Sequence, residues 1–317
     1  MEPTEGQEQS GNRLVEMNNA PAIGPSADTQ MVTTLPPQAG RGTCATCGSA
    51  AGSNSNGGEM ATYTYVYALG RIEPRFPSLA LEKEFAQATG RAETAGLTDR
   101  QVVHTVLSQR QNRYLARQLC YVLTIEGLET YILHPRDSAD FDLLVDAIRP
   151  APRPTDIDAV IGVRGPIAPP EMCNGLMVPI VVLDQTYSFD IDSLIEGIPR
   201  PEQMTDDQFQ PAAEELFLRI MQMADNAGAT DEHRALNYLV MRYPAIYHQT
   251  TELFSRNFSL TSVEARPSRL SGVRKIVDVI FSYTNRETDV IEKHFVRVDV
   301  TEEFPFLVTR MSPYFDR

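Results

Sequence analysis

The chain has 317 residues, and its 28 Lys plus Arg against 42 Asp plus Glu give a formal charge of −14 with His neutral. Such an excess of anion excludes simple electrostatic attachment to nucleic acid or to an anionic membrane, because a sequence-independent phosphate contact needs surplus cation. Hydrophobic residues at 42% and charged residues at 22% can build a sizeable core, and the length suits two domains or one large one with a tail.

Residues 1–60 hold nine of the 19 Gly and five Pro but no aromatic residue, since all 12 Tyr and 13 Phe lie at or beyond Tyr63. That composition does not offset the entropy of ordering and predicts a disordered tail. Glu2, Glu5 and Glu8 stand where a signal peptide needs basic and then apolar residues, and no apolar run approaches the roughly 18 residues of a membrane span. A cytoplasmic protein is expected, with its four cysteines kept as thiols or metal ligands. Cys44-Ala45-Thr46-Cys47 is a CxxC, the spacing at which two thiolates grip one tetrahedral zinc. No second pair follows at finger spacing; Cys120 reads as a buried apolar side chain, so Cys173 or the same pair from a second copy would have to complete the site. Two thiols in a flexible linker is the simpler reading, and no cofactor is expected unless zinc binds at Cys44 and Cys47.

From Thr62 the pattern turns to short runs. Tyr63, Tyr65, Tyr67 and Leu69 recur with period two and predict a strand that the prolines at 74 and 77 break. A short helix follows over 78–89, closed by Gly90. Thr98-Asp99-Arg100-Gln101 has the form of a capping box and predicts a helix from Asp99 to about Arg117. On that helix Arg110, Arg113 and Arg117 share a face, a stripe that could receive an acidic peptide or be laced to neighbouring carboxylates. Runs at 119–125 and 128–133, parted by Glu126-Gly127, predict a hairpin. Asp137 caps the next helix, whose buried stripe is Phe141, Leu144, Val145 and Ile148.

After a proline-rich connection at 150–154, strands are predicted at 159–163 and 178–183. Between them the stretch from Arg164 to Gly175 is too rich in proline for a helix, and a long, rigid loop inside a compact domain is usually functional. Its candidate contact residues are Arg164, Pro169, Glu171 and Asn174. Helices at about 205–226 and 230–243 pair as a hairpin with Gly228 between them, and the chain ends in strands at 262–265, 275–283, 290–300 and 306–309. Helices and hairpins in separate runs predict an α+β fold, with antiparallel hairpins and helices in two lobes, 61–200 and 201–317, behind the tail of 1–60.

No nucleophile elbow, phosphate loop or HExxH occurs. Each of the five histidines reads as locally hydrogen-bonded or partly exposed, and carboxylate pairs such as Asp190 with Asp192 or Glu302 with Glu303 are too many for any one to stand out.

The string Tyr65-Val66-Tyr67-Ala68-Leu69-Gly70-Arg71-Ile72-Glu73-Pro74-Arg75-Phe76-Pro77 resembles the start of the C-terminal domain of unknown function in the PatG-type cyanobactin maturation proteases. The likeness continues through 165–176, 224–238 and 304–308, and spans about 62–317. In that family the domain follows a subtilisin-like protease that cleaves and macrocyclises a ribosomal precursor peptide, and the tail of 1–60 is too short to be that protease. The resemblance implies a place in modified-peptide maturation without the protease activity, and carries over no catalytic residue. It points to a non-catalytic accessory domain that binds precursor peptide or partner enzymes and self-associates, as a homodimer for example. The alternative is an enzyme acting on the peptide, with the 164–175 loop and Asp184 at its site.

Overall fold

The computed structural model describes residues 64–90, 95–199 and 205–315, with the side chains of 206–208 left aside. The tail of 1–60, and with it Cys44 and Cys47, lies outside the described residues. Residues 59–317 form one compact unit of mixed α and β structure, in which five strands close a barrel and four more make a separate antiparallel sheet.

The barrel begins with β1 (Thr64–Arg75). Its first half pairs with β4 (Asp156–Ile167), from Thr64↔Arg164 to Gly70↔Asp158, and its second half with β2 (Cys120–Ile125), from Arg71↔Thr124 to Arg75↔Cys120. β3 (Leu128–Pro135) returns antiparallel to β2, and β5 (Pro179–Asp190) closes the ring between β3 and β4. The hairpin at Glu126-Gly127 has positive φ at both turn residues, 50° and 82°, as a two-residue turn of right-handed twist requires. The β3–β5 pair is parallel, which a reading in hairpins does not anticipate. β1 also departs from strict alternation: Val66, Tyr67, Ala68 and Leu69 are all buried, and the strand runs through Pro74. Both faces are covered. Val66, Ala68 and Ile72 join residues of the other four strands in the barrel interior, whereas Tyr67 and Leu69 pack outward with Ala159 and Ile161.

Helices α1 (Leu79–Thr89), α2 (Asp99–Leu107), α3 (Arg113–Gln118) and α4 (Phe141–Ala147) complete the interior cluster. Ser78 caps α1, and the capping box of Thr98 and Gln101 is formed. The single helix expected over 99–117 is divided. Gln109 is extended at ψ 131°, a 3-10 turn fills 110–112, and buried Asn112 donates to the Val106 carbonyl at the end of α2 at 2.9 Å. An amide that can cap a helix end from within the chain makes this break stable.

α5 (Ile191–Glu196), α6 (Asp206–Met223), α7 (Asp231–Arg242) and α8 (Ala245–Ser255) cover one face of the second sheet, β6 (Phe258–Pro267), β7 (Ile276–Asn285), β8 (Ile291–Asp299) and β9 (Phe306–Pro313). The stripe of Phe209, Ala213, Leu216, Phe217 and Ile220 faces Leu236, Leu239 and Val240 as the periodicity predicts, all at most 6% exposed. α5 and α8 are additions to that reading. Cys120 and Cys173 are joined as a disulfide with Cα atoms 6.1 Å apart, which corrects the expectation of free thiols: the loop after β4 folds back onto β2 and brings the two together.

Candidate functional site

The barrel has a gap that the helical part fills. β2 leaves β1 at Thr124, so the backbone of Tyr67 and Leu69 would face no strand. The α6–α7 connection takes β2's place: Tyr67 N donates to Gly228 O at 3.2 Å, Leu69 N to Asn226 O at 2.8 Å, and Asn237 Nδ2 of α7 reaches Tyr67 O at 2.7 Å. Gly228 has φ +56°, and a Cβ there would lie 1.9 Å from Tyr67 O, so only glycine permits the approach.

Beside this joint a cleft of about 510 Å³ opens between β1, the β2–β3 turn and α6. Its helical wall is apolar, with Phe217, Met221 and the 44%-exposed Leu218. The barrel wall adds polar groups among Leu69, Ile125 and Ile157. Arg71 Nε donates to Asp156 O at 3.3 Å, Glu73 pairs with Arg100 at 2.6 Å, and Asp156 with Arg149 at 2.5 Å. Burial works to raise the Asp156 carboxyl, yet the Arg153 N–H and the Arg149 guanidinium together hold it below the usual range. Asn226 also lines the cleft; it is 4% exposed and its Oδ1 has no hydrogen-bond donor. Such a cavity offers an apolar shelf and fixed charges.

The residues chosen from the sequence stand elsewhere. Arg164 through Ile167 belong to β4, so the loop proper is 168–178. Ala168 N donates to Val178 O at 2.9 Å and closes it, while Gly175 N donates to Pro170 O at 2.7 Å. Ala168 and Cys173 point inward, 2% and 0% exposed, and cover Cys120, Val122 and Ile132 on the barrel's outer face. Pro169, Glu171 and Asn174 are exposed, as is Arg164 on its strand. Asn174 takes φ 47° in the turn. The loop is a fitted cover with a polar outer rim.

Arg110, Arg113 and Arg117 are all exposed but share no continuous helix: Arg110 lies in the 3-10 turn, the other two on α3. Arg113 pairs with Asp142 of α4 at 2.5 Å, so the stripe is partly laced to a neighbouring carboxylate. Cys173 is held by Cys120 and is no ligand for the CxxC. Among the described residues no group of three or more His, Cys, Asp or Glu is placed to hold a metal ion, and no helix is long and apolar enough to cross a membrane.

One carboxylate does acquire a special setting. Asp184 falls at a bulge, where Ile161 pairs with Gln185 and Gly162 with Leu183, and Arg136 donates to both its oxygens at 2.5 and 2.9 Å. Glu303, from the turn after β8, is influenced by the same carboxylate: burial first, then Asp184, push its carboxyl up to about 7. Sequence spacing carries no sign of this pair, which lies 119 residues apart (303 − 184); Asn226 and Gly228 were marked only by a resemblance and a helix cap.

Residues 203–314 match the family described as PatG C-terminal. Among solved structures, a chain titled "PatG Domain of Unknown Function" superposes with a TM-score of 0.65 at 19% identity, covering 79% of this chain and 98% of that one. No curated protein matches. The family match covers the later part of the sequence resemblance, and the shared fold reaches well into the barrel half.

Proposed function

We propose that this chain, a PatG C-terminal region over residues 203–314 on the fold of a PatG domain of unknown function, is an accessory domain in the maturation of a ribosomally synthesised, cyanobactin-like peptide. In this reading it binds precursor peptide or the enzymes that modify it. The observation that carries the proposal is the cleft between β1 and α6, where Leu218 and Met221 offer an apolar shelf beside the polar groups of Arg71, Glu73 and Asp156. An extended peptide supplies an apolar side chain for such a shelf and backbone groups for its polar neighbours. The rim of Arg164, Pro169, Glu171 and Asn174 is a second contact surface in the same reading, its shape fixed by the disulfide and by proline, so that little entropy is lost on contact.

Calorimetry of the full chain with a precursor peptide, accompanied by mass spectrometry of the peptide, tests this. Binding without a mass change is expected. Leu218→Arg, at a 44%-exposed position, should weaken it about tenfold, roughly 1.4 kcal/mol, with the fold intact. Unaltered affinity in this variant and in Arg164→Ala and Glu171→Ala would remove both surfaces. A change in peptide mass would favour the second reading, an enzyme, for which the bulge at Asp184 beside Glu303 is the supporting observation.

A further inference from the structure

The exposed face of α6 carries Pro211, Glu215, Leu218 and Gln222, at the i, i+4, i+7 and i+11 spacing of one helix stripe. Three cavities share it. The cleft beside β1 uses Leu218 and Gln222; a second, of about 350 Å³, runs from these two to Glu215 and Pro211; a third, of about 360 Å³, continues from Pro211 and Glu215 to Phe254 of α8 and Arg286. The shared residues make one groove, about 16 Å long from the helix rise between Pro211 and Gln222. Its far end is cationic. Arg286 stands in the turn between β7 and β8, where its N–H donates to Asn257 O at 2.9 Å and Asn285 Oδ1 accepts from Glu287 N and Thr288 N at 3.0 Å each. Glu287 is taken by the Asn257 amide at 2.9 Å and Glu292 by Arg256 at 2.6 Å. Glu215 lines the same cleft without pairing with Arg286, so among the described residues the guanidinium has only the Phe254 ring, 5.9 Å from its carbon.

We propose that this groove takes the last residues of an extended peptide, with the terminal carboxylate on Arg286 and an apolar side chain on the shelf of Leu218 and Met221. The inference rests on the peptide-binding reading above and adds the direction, length and end group of the ligand. At roughly 3.3 Å per residue, the groove holds about five residues of extended chain. A guanidinium free of carboxylates presents paired N–H donors that match a carboxylate in geometry and charge. The last side chain of the peptide would meet Pro211, Ala212 and Phe254. In the middle of the groove Glu214 and Glu215 can accept backbone N–H groups, but they repel acidic side chains. A peptide whose negative charge lies at its end fits this pattern.

The test uses the full chain and an acetyl-capped hexapeptide library, prepared once as free acids and once as C-terminal amides. Retained peptides are identified by mass spectrometry and titrated by calorimetry. The retained acids should carry an apolar residue about three to five positions before the end, and amidation should weaken them about tenfold. Arg286→Gln, which leaves the backbone bond to Asn257 in place, should weaken the acids as much and leave the amides unchanged. Leu218→Arg should weaken both forms. Equal affinity of acid and amide, or no effect of Arg286→Gln, overturns the carboxylate anchor, while binding that still responds to Leu218→Arg keeps the peptide reading. Retention of no peptide in either form overturns both.

Discussion

Gly228 shows how one residue can decide the relation between the two sheets. Its φ of +56° and the 1.9 Å from a hypothetical Cβ to Tyr67 O leave room for no side chain. The approach allows Gly228 O and Asn226 O to satisfy the backbone N–H groups of Tyr67 and Leu69, donors that would otherwise be buried beneath Tyr238 and Met241 at a cost of about 1–3 kcal/mol each. Gly228→Ala should therefore destabilise by at least about 2 kcal/mol, through strain and through the loss of those bonds. Chemical denaturation would read this as a lower midpoint; a midpoint unchanged from wild type would mean that the α6–α7 connection moves aside without cost. Asn237 should be less sensitive, since its amide donates to Tyr67 O at 2.7 Å but no backbone position depends on it.

At the scale of elements, local chemistry was legible and long-range pairing was not. The capping box at Thr98, the turn at Glu126-Gly127 and the stripes of α6 and α7 stand as the sequence reading has them, because each is encoded within a few residues. The break at 108–112 was not, because Asn112 reads as an ordinary polar helix residue until its amide is seen on the Val106 carbonyl. α8 was missed for a similar reason: its buried face includes Thr250 and Thr251, whose hydroxyls return to carbonyls one turn back, and Pro244 before it looks like a breaker although it starts the helix. Nor could spacing bring Cys120 to Cys173. That bond ties the 168–178 cover to β2 across 53 residues, and loop-closure entropy gives it a worth of about 2–4 kcal/mol. Reduction of the wild-type protein, or Cys120→Ser with Cys173→Ser, should lower the denaturation midpoint by that equivalent. The reduced wild type and the double variant should then coincide; no difference between oxidised and reduced protein would show the loop held by the packing of Ala168, Met172 and Leu176 alone.

The barrel half and the helical half depend on each other at the scale of the whole molecule. The sequence reading drew a boundary near 200, and the resemblance ran across it without a break. Across that boundary β1 takes backbone partners from 226–228, Tyr131 donates its hydroxyl to Ala227 O at 3.1 Å, and Arg234 spans from the β8–β9 turn to the ring of Tyr65. The outward face of Tyr67, Leu69, Ala159 and Ile161 is covered by Met221, Tyr238 and Met241, all from the second half. A chain cut to 61–199 would bare this apolar patch and a strand edge whose N–H groups have lost their partners, the combination that drives edge-to-edge aggregation. The two halves should therefore melt together, with calorimetric and van't Hoff enthalpies equal in the full chain, and the 61–199 fragment should be insoluble alone yet recovered when co-expressed with 200–317. A soluble, cooperatively folding 61–199 fragment, or two resolved transitions in the full chain, would mean that the 226–228 connection docks on a barrel already complete.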